Sequence, residues 1–164
     1  MIVERSMHSG WLSNAFLLAD EPGGTAVFVD SGAPLEPLIA AVEREAVTPT
    51  HLLVTHGHAD HVAGNDELVE RYRLQVTSGA IETGGLRVES LATPGHSDDG
   101  VSFVVGGLCF SGDTLFRDAV GGGPADEMRR SRSAVSGVAR RRASSRVVAP
   151  RRASSRVSCP AARR

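Results

Sequence analysis

No lysine occurs among the 164 residues, and the only cysteines, Cys109 in an apolar run and Cys159 near the C-terminus, do not suggest a disulfide framework. No apolar run approaches the roughly 20 residues needed to cross a bilayer. The opening Met1-Ile2-Val3-Glu4-Arg5 lacks the apolar stretch of an export signal. These absences predict a soluble, cytoplasmic protein with no membrane partner. Histidine is missing after His96, and acidic residues are missing after Glu127.

What is present divides unevenly. The formal net charge of −1 conceals a split: residues 1–128 carry six arginines and all nineteen acids, and residues 129–164 carry twelve arginines and no acid. Such asymmetry marks two parts of different character. A near-repeat of ten residues, Arg141-Arg142-Ala143-Ser144-Ser145-Arg146 and then Arg151-Arg152-Ala153-Ser154-Ser155-Arg156, lies in the basic part. Arg, Ala, Ser and Val supply too little apolar surface to offset chain entropy. The expected division is therefore one domain over 1–125 and an Arg/Ser/Ala-rich, disordered tail over 126–164.

Within 1–125, short apolar runs predict strands at 2–3, 14–19 and 26–29. Glu21-Pro22-Gly23-Gly24 supplies the turn chemistry of a hairpin. Leu35, Leu38, Ile39, Val42 and Ala46 recur at steps of three and four, which predicts a helix over 34–47 closed by Pro49. A buried strand at 51–54 follows, then a helix over 61–74 capped by Asp60. Further strands are expected at 86–92, 101–105 and 108–110. Helices interleaved with short strands give an α/β fold.

His56-Gly57-His58-Ala59-Asp60-His61 places four ligand-type side chains within six positions after a strand. In extended chain, residues i and i+2 point the same way, so His56 and His58 converge on one ion. Asp60 and His61, at the next helix start, face a neighbouring ion. Thr93-Pro94-Gly95-His96 puts a histidine on a rigid turn after a strand, and Ser111-Gly112-Asp113-Thr114 puts a carboxylate after another. Alone, each of these last two is an ordinary turn. Beside the first cluster both become candidate ligands.

Thr-His-x-His-x-Asp-His, then Pro-Gly-His, then Gly-Asp-Thr-Leu-Phe resembles the metallo-β-lactamase superfamily, and within it the glyoxalase II-like (hydroxyacylglutathione hydrolase-like) hydrolases, over about residues 1–125. The resemblance implies an αβ/βα sandwich with metals at one edge. It implies that His56, His58 and His96 hold the first metal, Asp60 and His61 the second, and that Asp113 bridges them. Asp30, in Val29-Asp30-Ser31-Gly32, matches a family position near the site, although a simple turn role fits it equally. The implied activity is hydrolysis of a small thioester or ester. Zn²⁺ is the implied cofactor, since it lowers the pKa of bound water to about 7 and supplies hydroxide. Asp60 would orient that nucleophile or move a proton.

The chain departs from the family pattern at its end. A late Pro-Gly-His segment would give the second metal another histidine, and the second half of the fold would stand where the arginines are. The fold is therefore expected to be incomplete and activity impaired. An aberrant reading of a GC-rich gene accounts for the loss of acids and aromatics there. A true extension that binds a polyanion is the competing account, although no aromatics interleave for base stacking. Two other functions follow from these departures. One is a persulfide dioxygenase-like enzyme with a single Fe²⁺ held by His56, His96 and Asp113. The other is an inactive chain whose basic tail binds polyanions. Asp98-Asp99-Gly100 reads as a solvated turn, and Cys109 as a packed thiol.

Overall fold

The computed structural model describes residues 1–116, 119–141 and 146–148, with side chains described as far as residue 137. Two five-stranded sheets stack face to face. In the first, β1 (Ile2–Met7), β2 (Asn14–Ala19), β3 (Thr25–Val29), β4 (Thr48–Leu53) and β5 (Gln75–Thr77) lie in chain order. The helices α1 (Glu36–Glu45), α2 (Ala59–Val62) and α3 (Asn65–Tyr72) belong to the crossovers around β4. The second sheet has the order β12-β9-β8-β7-β6, from β6 (Ile81–Thr83), β7 (Leu86–Ala92), β8 (Val101–Val105), β9 (Leu108–Phe110) and β12 (Arg146–Val148). A small ribbon, β10 (Leu115–Phe116) with β11 (Ala119–Val120), leads to α4 (Ala125–Arg141).

The alternation of β2 explains the layering. Every residue of this strand is buried, because side chains on both faces of the sheet are covered. Ala15, Leu17 and Ala19 join Leu38, Val42 and Leu68 of α1 and α3 on one face. Phe16 and Leu18 join Val88, Phe103, Val105 and Phe110 of the second sheet on the other. The far face of the second sheet, at Val104 and Cys109, packs with Leu115 of β10 and Val135 of α4. The result is four layers, helix-sheet-sheet-helix, as expected for an αβ/βα sandwich. The second half is the thinner one: among the described residues α4 is the one helix on its outer face, beside the β10–β11 ribbon.

Several local expectations are corrected. Pro49 does not close the helix, which ends at Glu45 with Ala46 as its C-cap; it sits in β4, where the register slips between Ala26 and Val27, because proline has no N–H for the ladder. Asp60 does not cap. His58 is the N-cap of α2, and no side chain bonds there. The single helix expected over 61–74 is broken at Gly64, where a Cβ would press on the Ser31 carbonyl and Leu35. That close approach docks the helix pair on the loop after β3, with Gly64 N–H donating to Ser31 O at 3.2 Å.

Residues 126–141, expected to be disordered, instead form α4. Met128, Ser131 and Val135, at helical steps of three and four, are buried. Composition understated this segment because its few apolar residues share one stripe. The rest of the expected tail, 142–145 and 149–164, lies outside the described residues, as does Cys159. Among the described residues no helix is long and apolar enough to cross a membrane. Cys109 is buried, and that burial pushes its thiol up to about 12, in line with a packing role.

Candidate metal centre

Strands β3, β4, β7 and β9 deliver their following loops to one edge of the sandwich. Asp30 follows β3, His56 and His58 follow β4, His96 follows β7, and Asp113 lies just beyond β9. The Phe16–Phe110 edge contact, with ring centroids 5.0 Å apart, locks the two sheets together near this edge.

The side chains form two overlapping groups, His56-His58-His96 and His56-His61-Asp113. His58 Nδ1 lies 3.1 Å from His56 Nε2 and 3.1 Å from His96 Nε2. Asp113 sits between the groups, with Oδ1 3.3 Å from His61 Nε2 and Oδ2 3.6 Å from His96 Nε2. Asp60 joins neither group; its Oδ2 is 3.7 Å from His61 Nε2. Five of the six expected ligands are thus brought together, and Asp60 stands at the margin.

Asp30 underlies the site. Nearly fully buried, its carboxylate accepts from Thr55 N–H, the Thr55 hydroxyl and His61 Nδ1, each at 2.8 Å. Its φ of 55° is left-handed, a conformation Asp tolerates better than most residues. These bonds fix ring protons. The Thr55 hydroxyl gives its proton to Asp30, so its oxygen accepts from His56 Nδ1 at 3.1 Å. His96 Nδ1 donates to Gly122 O at 3.1 Å. The Nε2 lone pairs of His56 and His96 therefore face the centre, and His61 Nε2 is buried without a hydrogen-bond partner. Such outer hydrogen bonds are the usual means of orienting ligand histidines.

Electrostatics point the same way. Burial first, and then the neighbouring His61, hold His56 down to about 3, so its imidazole is neutral and free to ligate. Burial opposes protonation of His61, but interactions with Asp113 and Asp30 outweigh it and raise the pKa to about 10. Asp113 is shifted oppositely: burial would raise it, but His61 and the other imidazoles pull it below the usual range. This corner attracts positive charge, whether a proton or a metal ion.

The donor set fits a metal. In a tetrahedral Zn²⁺ site with Zn–N near 2.0–2.1 Å, ligand nitrogens stand about 3.3 Å apart, close to the 3.1 Å found for the imidazoles. At that spacing each pair of nitrogens needs a ring proton or a cation between them, and one His58 Nδ1 proton cannot point at both neighbours.

Comparison with known proteins agrees with this geometry. A family model described as the metallo-beta-lactamase superfamily matches residues 8–84. ETHE1 from Myxococcus xanthus is 30% identical with a TM-score of 0.64, the match covering 80% of this chain and 68% of that one. The chain belongs to the metallo-β-lactamase superfamily. A further solved structure, TTHA1623 in a di-iron-bound form, is 25% identical with a TM-score of 0.70, over 90% of this chain and 92% of that one. Hydroxyacylglutathione hydrolase of Rhodopseudomonas palustris (strain BisA53) is 37% identical over 62% of this chain but only 47% of its own length. The chain spans about half the length of the curated relatives it matches.

Supports that the sequence did not signal complete the centre. Gly121 and Gly123 lie edge-on between its turns: a Cβ on Gly123 would overlap the Gly95 carbonyl, and one on Gly121 the Asp113 carbonyl. From α4, the buried Ser131 hydroxyl donates to Pro94 O at 2.6 Å. Thr55 was legible only as a neighbour of His56, and nothing in the sequence marked Gly122.

Proposed function

We propose that this chain is a metal-dependent hydrolase of small thioesters or esters, with His56, His58 and His96 holding a first ion and His61 and Asp113 a second, Asp113 being shared. The observation that carries this is the convergence of imidazole nitrogens beside a carboxylate set between the two groups. The likeness to hydroxyacylglutathione hydrolases supports a thioester as substrate. When bound, zinc or a similar ion polarises the acyl carbonyl and lowers the pKa of water toward about 7.

The chain's own groups do the rest. Asp30 and Thr55 keep His56 and His61 in the tautomers that present Nε2. Asp60, at the margin, is a partly exposed carboxylate; it is placed to move a proton between solvent and the site. The test is release of thiol from an S-hydroxyacylglutathione by purified protein, before and after chelation, and by His96→Ala. Chelation and His96→Ala should each abolish turnover; turnover surviving both would refute the proposal.

A second reading, a single-iron centre of the persulfide dioxygenase type, draws on the likeness to ETHE1 and on the closeness of His96 to Asp113. One iron per chain with oxygen consumption would favour it; two zinc ions with thiol release would favour the hydrolase.

A further inference from the structure

Asp99 lies outside both ligand groups, in the loop between β7 and β8 that also carries His96. Its exposed carboxylate reaches back across the site edge. Oδ2 accepts from Gly57 N–H at 2.9 Å, and Oδ1 accepts from the Ser97 hydroxyl at 2.6 Å. Gly57 is the residue between His56 and His58, so its peptide plane sets how those two rings diverge. A Cβ on Gly57 would stand 3.2 Å from Asp99 Oδ2, which shows how closely the two loops meet. A second bond runs beside this one, Val101 N–H to Thr55 O at 2.8 Å. The His56–His58 segment is therefore fastened on both sides of His56, at Thr55 to the start of β8 and at Gly57 to the His96 loop.

The two fastenings differ in kind. The Thr55–Val101 bond joins backbone to backbone, from the loop after β4 to the first residue of β8. The Gly57–Asp99 bond depends on one side chain. Bonding to Ser97, opposed by partial burial and aided by Gly57, holds the Asp99 carboxyl below the usual range. A charged acceptor strengthens an N–H bond relative to a neutral one.

We propose that Asp99 is a positioning residue for the first metal group: by holding the Gly57 peptide it sets the approach of His56 and His58 to His96. This rests on the metal reading above. It requires that loss of the carboxylate loosen the site without unfolding the chain. A carboxylate at this exposed place contributes little to global stability, whereas outer-shell partners of ligands typically govern metal affinity by about 10–100-fold.

The test compares wild type, Asp99→Ala and Asp99→Asn. Zinc affinity is measured by chelator competition and cobalt(II) binding by its visible spectrum. Melting of the metal-free proteins and hydrogen exchange at the Gly57 amide are measured in parallel. Asp99→Ala should weaken the tighter zinc site about 10–100-fold and alter the cobalt bands, with melting of the metal-free protein little changed. Asp99→Asn, whose amide oxygen still accepts from Gly57, should recover most of the loss. Wild-type affinity and spectrum in Asp99→Ala would overturn the proposal, as would a lower melting temperature with unchanged affinity. Should wild type bind no metal, the metal reading fails by itself. The clamp is then decided by exchange: faster exchange at Gly57 in Asp99→Ala supports it, and an unchanged rate refutes it.

Discussion

Replacing Asp30 separates folding from metal binding, because the two available substitutions disturb different bonds. In Asp30→Ala the buried Thr55 N–H and His61 Nδ1–H lose their acceptor. A buried donor left unpaired costs about 1–3 kcal/mol, so the pair costs roughly 2–6 kcal/mol. Alanine at a φ of 55° adds about 1–2 kcal/mol. The sum is comparable with the whole stability of a typical domain, about 5–15 kcal/mol, and Asp30→Ala should be recovered poorly or melt far below wild type.

Asp30→Asn is gentler and more informative. Asparagine tolerates the left-handed backbone, and its oxygen still accepts from Thr55 N–H. Its amide NH₂ takes the place of Oδ2, which now accepts from both the Thr55 hydroxyl and His61 Nδ1. An NH₂ group donates, so His61 Nδ1 must become the acceptor and the ring proton moves to Nε2. A protonated Nε2 cannot ligate. Asp30→Asn should therefore fold and bind the second ion about 10–100-fold more weakly. Metal titration followed by elemental analysis of the desalted protein reads this directly. Two ions bound with wild-type affinity in Asp30→Asn would show that the carboxylate does not set the tautomer.

Two further outcomes follow from the same structure. Ser131→Ala removes the bond to Pro94 O and should destabilise the fold by about 1 kcal/mol while weakening metal uptake; a loss of stability with no change in uptake would confine α4 to a packing role. The metal-free protein should be most stable near pH 6.5, the pKa of histidine in an unfolded chain. His56, held to about 3, stays neutral in the folded state, so stability falls as pH drops below 6.5 and the unfolded chain takes up the proton. His61, raised to about 10, stays protonated when folded, so its contribution is full below 6.5 and is lost as pH rises toward 10. Melting scans across pH 4–9 without metal test this, and a plateau through that range would contradict both assignments.

The first sheet and its helices were legible because period and burial coincide: the 34–47 periodicity becomes α1, and the all-apolar 14–19 run becomes a strand covered on both faces. The candidate ligands were legible because His-Gly-His-Ala-Asp-His concentrates donors beyond chance. What escaped notice has physical reasons. The strands Gln75–Thr77 and Ile81–Thr83 are three-residue edge strands, too short for alternation to register. The break at Gly64 depends on a tertiary approach to Ser31. Helix α4 hid in an arginine-rich composition because composition averages over faces. Asp99 reads as turn chemistry, and only the fold reveals that its partner is Gly57, 42 positions away.

The two ligand groups are not equivalent, and the inequality bears on function. The first is built from imidazoles alone, each neutral when it ligates, and two of them are aimed by fixed ring protons. The second shares His56 with the first and relies on Asp113 for its negative charge. Asp113 also lies 3.6 Å from His96 Nε2, so an ion in the first group draws on the same carboxylate. A second dication then enters against a neighbouring positive charge, with one anion between them and Asp60 only at the margin. Loading is therefore expected to be sequential, with the three-histidine group filling first. A state with one ion is the dominant form at limiting metal under either functional reading, so a single bound ion at low supply does not by itself argue for an iron enzyme. What separates the readings is the behaviour at saturation, where only a hydrolase that uses both groups gains activity with the second equivalent.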